Sequence, residues 1–177
     1  WDHLHGLTYS VAVGTEAERK AALRQRVSVY IINRENVQWL VEESGLPFDY
    51  DMVVIDELSS FKSYQAKRFR TLLKVRPGIK RIVGLTGTPS SNGLMDLWAE
   101  IGILDGGERL GRFIGRYREA YFKAGSMNPQ TGVVFQYVPR PGAEEQIYGK
   151  IADITISMKA MDYLHMPDCV PAWHYVE

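Results

Sequence analysis

Residues 52–57 read MVVIDE, and residues 81–89 read RIVGLTGTP. Each segment begins with a short apolar run of the kind found in strands that are covered on both faces of a sheet. The first run ends in the carboxylates of Asp56 and Glu57, and the second ends in the hydroxyls of Thr86 and Thr88. Because the carboxyl ends of parallel strands share one edge of a sheet, we expect these polar ends to meet there, where open α/β sheets bind ligands.

Strand and helix patterns alternate on both sides of these two runs. Residues 7–13 and 27–32 are further strand candidates, and a helical pattern follows each of them. A helix is also expected over residues 64–75, and apolar side chains recur at helical spacing from Leu94 to Ile101. This alternation predicts an α/β fold with a mostly parallel sheet and helices on both faces. Trp39 and Trp98 lie at apolar helical positions, so we expect both in the core.

The pattern changes after residue 105. We expect a basic amphipathic helix over residues 110–122, a loop over 125–132 and a hairpin arm over 133–142. A last helix over 147–156 and a strand over 159–164 follow. We therefore divide the chain into an α/β unit (1–105), an appended helical and hairpin region that completes it (106–166), and a linker or tail (167–177).

Composition excludes several classes of protein. The 21 basic and 21 acidic residues cancel, so no overall field attracts nucleic acid or an anionic membrane, and any such affinity must be local. A single cysteine, Cys169, excludes an internal disulfide framework. No apolar run is long enough to span a membrane, so we expect a cytoplasmic protein with no membrane partner. The chain starts on Trp1 without an initiator Met, which we interpret as a sign of an excised piece.

Two adjacent carboxylates at the end of a buried strand suit the transfer of a phosphoryl group to water. Asp56 can hold Mg²⁺, through a water molecule, while Glu57 acts as general base. The alternative is that the pair only caps the following turn. Likewise, TGTP can be a plain turn with an N-cap for the next helix.

Three segments together resemble a known family. VVIDELSSFKS (53–63), LTGTPSSNGLMDLWAEIGILD (85–105) and FIGRYREAYF (113–122) are similar, in order, to the second motif, the third motif and the following segment of superfamily 2 helicase-like ATPases of the Swi/Snf group. Phage members look especially close, and the resemblance covers roughly residues 27–122. It implies a RecA-like three-layer sandwich, incomplete at the N-terminus, that forms the first of two lobes.

The resemblance also implies cofactors, partners and roles for particular residues. ATP and Mg²⁺ would bind between this lobe and a second RecA-like lobe of the same polypeptide, and the track would be duplex DNA. Asp56 and Glu57 would be catalytic, and a second set would couple hydrolysis to the track: Ser59, Thr86, Gly87 and Thr88. Nucleic acid would contact Lys62, Asn33 and Arg34.

Two departures from the family pattern matter. Ser59 stands where many relatives have His, and the chain contains no G-x-x-x-x-G-K-[ST] phosphate loop. We therefore expect the parent protein to hydrolyse ATP and the isolated chain not to do so. One alternative is a non-catalytic nucleic-acid or protein interaction module derived from such a lobe. Another is an unrelated Rossmann-like transferase or hydrolase, in which the motif matches are accidental.

Overall fold

The structure, a computed structural model, describes residues 5–87 and 93–158. Its strands are β1 (Tyr9–Ala12), β2 (Val29–Ile32), β3 (Met52–Asp56), β4 (Arg81–Leu85), β5 (Phe122–Ala124) and β6 (Tyr137–Pro139). Its α-helices are α1 (Glu16–Leu23), α2 (Lys67–Val75), α3 (Leu94–Asp105), α4 (Ile114–Tyr121) and α5 (Ala143–Ile151). Shorter turns are the 3₁₀ segments Arg34–Asn36, Leu58–Phe61 and Arg76–Gly78 and the π-helical segment Trp39–Glu43.

The strands form small sheets with mixed α/β connections. β1 pairs in parallel with β2, β3 pairs in parallel with β4, and β5 pairs antiparallel with β6. The parallel pairs agree with the predicted α/β class, but within residues 5–87 and 93–158 no strand pairing joins them into one sheet. A crossover connection joins the two strands within each parallel pair. A single sheet would also need backbone hydrogen bonds between strands of different pairs.

One face of both parallel pairs is exposed. On β1 and β2 the exposed apolar side chains are those of Tyr9, Val11, Val29 and Ile31. Met52, Val54 and Leu85 are exposed in the same way on β3 and β4. The expectation that these runs are covered on both faces is therefore wrong for the described residues, because the connecting segments pack against one face only. The sequence pattern indicates how apolar a strand is. It does not indicate whether another element packs on each of its faces.

Helix α3 lies at the centre of the core. Leu97, Ile101 and Ile103 are almost completely buried in one cluster that extends to α2, α4 and α5. Trp98 and Trp39 are buried, as predicted, and the Trp98 indole donates a hydrogen bond to the Gly111 carbonyl at 2.8 Å. Helices α2, α4 and α5 therefore pack around α3 in one core.

Arg76 joins the end of α2 to the end of α3. Its guanidinium donates to the carbonyls of Ile103, at 2.8 Å from Nε, and Leu104. The last carbonyls of a helix have no hydrogen-bond partner within the helix, and they form the negative end of its dipole. The Arg76 guanidinium supplies both the hydrogen-bond donors and a positive charge at this end.

The region after α3 differs in detail from the prediction. The expected helix over 110–122 is shorter, because Gly111 has a left-handed φ of 85° and α4 begins only at Ile114. The hairpin is confirmed, although β5 begins before the expected arm. The last helix begins at Ala143 and ends at Ile151, earlier than expected, with Glu144 and Glu145 favourably placed in its first turn. The strand expected over 159–164 and the tail lie outside the described residues.

None of the helices in residues 5–87 and 93–158 is long and apolar enough to cross a bilayer.

Candidate functional site

Asp56 and Glu57 lie at the carboxyl end of β3. The backbone of Glu57 has φ 57° and ψ 62°, the left-handed region, and within the described residues no other residue except glycine has a positive φ. This conformation costs a non-glycine residue roughly 1 to 2 kcal/mol, and such strain persists where the surrounding structure enforces it. The Glu57 amide donates to Asp56 Oδ1 at 3.1 Å. The chain thus reverses sharply here and presents two carboxylates at the strand end.

Two hydroxyl groups converge on one oxygen of the Glu57 carboxylate. Ser59 Oγ donates a short hydrogen bond to Glu57 Oε1, and Thr86 Oγ1 lies 3.5 Å from the same oxygen. The parallel register pairs Asp56 with Leu85, so the residues that follow the two strands are neighbours. Oε2 carries neither of these contacts. The ends of the two runs therefore meet at one sheet edge, as their order in the sequence predicts.

This geometry bears on the simpler interpretation of Asp-Glu as a capping pair. Glu57 does occupy the cap position of the 3₁₀ turn Leu58–Phe61, but its side chain makes no capping hydrogen bond. The carboxylate instead accepts from side chains of both strand ends. Capping explains where the turn starts and leaves the orientation of the Glu57 side chain unexplained.

Gly84 sets how closely the turn after Glu57 can approach β4. A Cβ atom at this position would lie 2.5 Å from Leu58 Cδ2, well inside van der Waals contact. Leu58 is buried directly after Glu57. Glycine at this position lets the turn lie flat on the strand, and the sequence pattern gave no reason to single it out beyond its place in an apolar run.

The carboxylates present are compatible with Mg²⁺ and not with a protein-only metal cage. Within residues 5–87 and 93–158 no group of three His, Cys, Asp or Glu side chains is arranged to hold a metal ion. Mg²⁺ in phosphoryl-transfer sites is usually held by one or two carboxylates together with water and substrate phosphates. Asp56 is exposed at the strand end and fits that pattern.

Two acidic residues of α3 that the sequence analysis did not select lie behind this turn. Glu100 is only 1 % exposed, and burial raises the pKa of its carboxyl to about 8, with the negative charge of Asp96 acting in the same direction. Asp96 Oδ2 lies 4.0 Å from the ammonium of Lys62. The signal in the sequence was that Asp96 and Glu100 stand among apolar residues of α3.

The remaining predicted residues are placed as follows. Lys62 ends the 3₁₀ turn that begins after Glu57. Asn33 and Arg34 follow β2, on the other parallel pair, and Arg34 Nε contacts Glu35 Oε1 at 3.2 Å. Gly87 follows Thr86 directly, and Thr88 lies outside the described residues. The structure thus gathers Asp56, Glu57, Ser59, Thr86 and Lys62 at the ends of β3 and β4 and in the turn after β3, whereas Asn33 and Arg34 follow β2.

The basic segment over residues 62–81 is largely committed to internal contacts. It holds eight Lys or Arg and no acid, but most of these side chains meet a carboxylate, a carbonyl or a ring: Lys62, Arg68, Arg70, Lys74, Arg76 and Lys80. These contacts offset part of the local positive charge, while the side chains of Lys74 and Lys80 stay largely exposed.

Comparison with known proteins finds similarity both in sequence and in structure. No model of a protein family matches the chain. Putative protein p41 of Acyrthosiphon pisum secondary endosymbiont phage 1 is 34 % identical over 174 residues, which is 95 % of this chain and 37 % of that protein. The chain thus spans little more than a third of that relative.

One structural relative is the Sulfolobus solfataricus SWI2/SNF2 ATPase core in complex with dsDNA, with a TM-score of 0.57 and 19 % sequence identity. The match covers 84 % of this chain and 27 % of that one. At this identity the likeness is one of fold. The chain is therefore a mixed α/β unit that is similar to a phage protein in sequence and to part of a SWI2/SNF2 ATPase core in fold.

Proposed function

We propose that the chain is part of the first RecA-like lobe of an ATP-driven DNA translocase, with the three-layer sandwich completed by residues outside the 177. The observation that carries the proposal is the Glu57 carboxylate, held in a strained backbone conformation with Ser59 and Thr86 on one of its oxygens. The likeness in fold to a SWI2/SNF2 ATPase core, which was determined with dsDNA, supports it, as does the phage relative.

In this proposal Glu57 is the general base for hydrolysis of ATP. Ser59 and Thr86 fix the orientation of the carboxylate through Oε1, so that Oε2 can accept a proton from the attacking water. A carboxylate whose position is fixed before the reaction avoids the entropy cost of orienting it during the reaction. The oxygen that forms no contact with the hydroxyls is therefore the reactive one.

Asp56 would hold Mg²⁺ through a water molecule, together with the phosphates of ATP. When bound, Mg²⁺ neutralises charge that develops on the phosphoryl oxygens. The hydrogen bond from the Glu57 amide to Asp56 Oδ1 keeps this side chain at the strand end, beside the base.

The contacts of Ser59 and Thr86 suggest how hydrolysis is coupled to the track. Thr86 follows β4 and Ser59 follows β3, so a displacement of one strand end relative to the other changes the support of Glu57 Oε1. With Gly87 and Thr88 these residues would form the coupling motif, and a serine hydroxyl can take the place of the more common histidine because it both donates and accepts. Lys62, Asn33 and Arg34 would contact the DNA backbone.

The 177 residues contain no phosphate loop, so the cradle for the triphosphate must come from elsewhere in a longer polypeptide. A second RecA-like lobe of the same polypeptide would complete the site. The isolated chain, which lacks the loop's amides and lysine, is then expected to hydrolyse no ATP.

The test is ATP hydrolysis by the longer polypeptide that contains this chain, with and without duplex DNA, for the wild type and Glu57→Gln. The amide keeps the shape of the side chain and removes the base, so we expect DNA-stimulated hydrolysis to fall by about two to four orders of magnitude. Glu145→Gln, at an exposed position of α5, is the matched control and should keep full activity.

If neither protein hydrolyses ATP on any nucleic acid, the catalytic assignments are wrong. The interaction module that lacks a phosphate loop is then the better account.

A further inference from the structure

Helix α3 carries two acidic side chains on the face that packs against the turn after Glu57. Asp96 and Glu100 are four residues apart, which places them one above the other on the same face of a helix. Glu100 is 1 % exposed, and its Oε1 has no hydrogen-bond partner within the described residues. Asp96 Oδ2 is also buried there without a hydrogen bond. A carboxyl group that is buried without a donor must carry its own proton or have a cation nearby.

Lys62 supplies the cation. Its Nζ lies 4.0 Å from Asp96 Oδ2, and its positive charge lowers the pKa of Glu100 while Asp96 and Glu57 raise it. Among the described residues, those are the charged groups that act on Glu100. The other elements packed on α3 contribute apolar and aromatic side chains to the same core: Phe69 and Leu72 of α2, Ile82 of β4, Tyr117 of α4, and Ile147 of α5.

We propose that Asp96 and Glu100 form an internal seat for the Lys62 ammonium, with Glu100 as the positioning residue at its buried end. The negative charges of Asp96 and Glu57 both act on Glu100, and the single Lys62 ammonium cannot offset these charges and that of an ionised Glu100 together. With a pKa of about 8, Glu100 keeps its proton at neutral pH while Lys62 lies beside Asp96, and at higher pH Glu100 ionises beside the Lys62 cation. Movement of Lys62 away from the seat would raise the pKa of Glu100 further. Movement of the lysine and protonation of Glu100 are therefore linked.

The seat is connected to Glu57 through the backbone of one turn. The Ser60 amide donates to the Glu57 carbonyl at 3.0 Å, and the Lys62 amide donates to the Ser59 carbonyl at 3.3 Å. Lys62 and Glu57 thus belong to the same hydrogen-bonded segment, and the seat on α3 holds its far end. This step rests on the proposed function: a phosphate of nucleic acid that draws Lys62 away would displace this segment and raise the pKa of Glu100 further.

The test follows the ionisation of Glu100 by NMR in the chain with ¹³C-labelled glutamate side chains, in wild type, Lys62→Met and Lys67→Met. Lys67 is an exposed lysine on α2 and serves as the matched control. Removal of the Lys62 charge should raise the pKa of Glu100 from about 8 by about one pH unit, and Lys67→Met should leave it unchanged. Asp96→Asn, which removes a like charge, should lower it and provides an independent check if the Lys62 variant does not fold.

A Glu100 that titrates in the range of an exposed glutamate, or that responds to neither Lys62→Met nor Asp96→Asn, overturns the seat. A second measurement repeats the titration of the wild type in the presence of a short duplex DNA. A rise in the Glu100 pKa on addition supports both the seat and the contact of Lys62 with DNA. If DNA has no effect while Lys62→Met still raises the pKa, the seat stands and the proposed role of Lys62 in DNA binding is wrong.

Discussion

The free energy of unfolding of the wild type should fall as the pH rises, and replacement of Glu100 by glutamine should abolish this fall. The carboxyl is almost fully buried, and its pKa is raised from 4.5 to about 8. Between these values the folded chain keeps a proton that the unfolded chain has released. The folded state therefore binds more protons, and the free energy of unfolding must fall as the pH rises through this window.

The size of the effect follows from the same two values. Each pH unit between them costs about 1.4 kcal/mol, so the interval sets an upper limit of about 5 kcal/mol, of which about 3 kcal/mol is lost by pH 7. Relaxation of the buried site reduces these figures. The contribution is fully present below pH 4.5 and is lost as the pH approaches 8.

Urea unfolding of the wild type and Glu100→Gln at several pH values from 5 to 8 measures this difference. The glutamine variant should lose less stability over the range, so its advantage over the wild type should grow steadily with pH, whatever its stability at pH 5. Glu145→Gln, at an exposed position, should keep the wild-type slope. Parallel slopes for the wild type and Glu100→Gln would show that the buried carboxyl is ionised in the folded chain and would refute the reasoning.

Three further changes test the packing around the site. Gly84→Ala places a Cβ atom 2.5 Å from Leu58 and should lower the free energy of unfolding, measured with urea, by about 1 to 3 kcal/mol. The control Gly102→Ala lies in open space within α3 and should leave that free energy unchanged or raise it by up to about 1 kcal/mol. Equal effects of the two changes would contradict the close approach of Leu58 to Gly84. Glu57→Gly relieves a left-handed φ and should raise the free energy of unfolding by about 1 kcal/mol, and a loss of stability would mean that the side-chain contacts outweigh the strain. Arg76→Met leaves two carbonyls at the end of α3 without their donor. It should lower the free energy of unfolding by about 1 to 3 kcal/mol and the thermal midpoint by several degrees. An unchanged midpoint would mean that water replaces the guanidinium as the donor to those carbonyls.

Much of the fold was accessible from the sequence because the relevant signals are local. The apolar runs before Asp56 and Thr86 mark β3 and β4, and the spacing of apolar residues marks α3. Thr15 and Glu18 form the capping box that begins α1. The order of two polar strand ends was enough to predict that they meet, since parallel strands present the same end to the same edge.

The errors came from interactions between distant segments. The start of α4 depends on Gly111, whose carbonyl accepts from the Trp98 indole, a contact that spacing alone does not report. Pairs between distant segments are equally invisible to local patterns: Glu42 and Asp51, from earlier in the chain, pair with Lys74 and Lys80 of the basic segment.

The sequence by itself determined the α/β class, the places of β3 and β4, and the candidate pair Asp56 and Glu57. Only the tertiary structure decided that Glu57 is strained and accepts from Ser59 and Thr86 on one oxygen, and that Glu100 is buried behind the turn with Lys62 as its neighbouring cation. The physical reason is that strand and helix patterns are set by neighbours along the chain. The charge state and orientation of a carboxylate are set by burial and by groups that only the folded chain brings near.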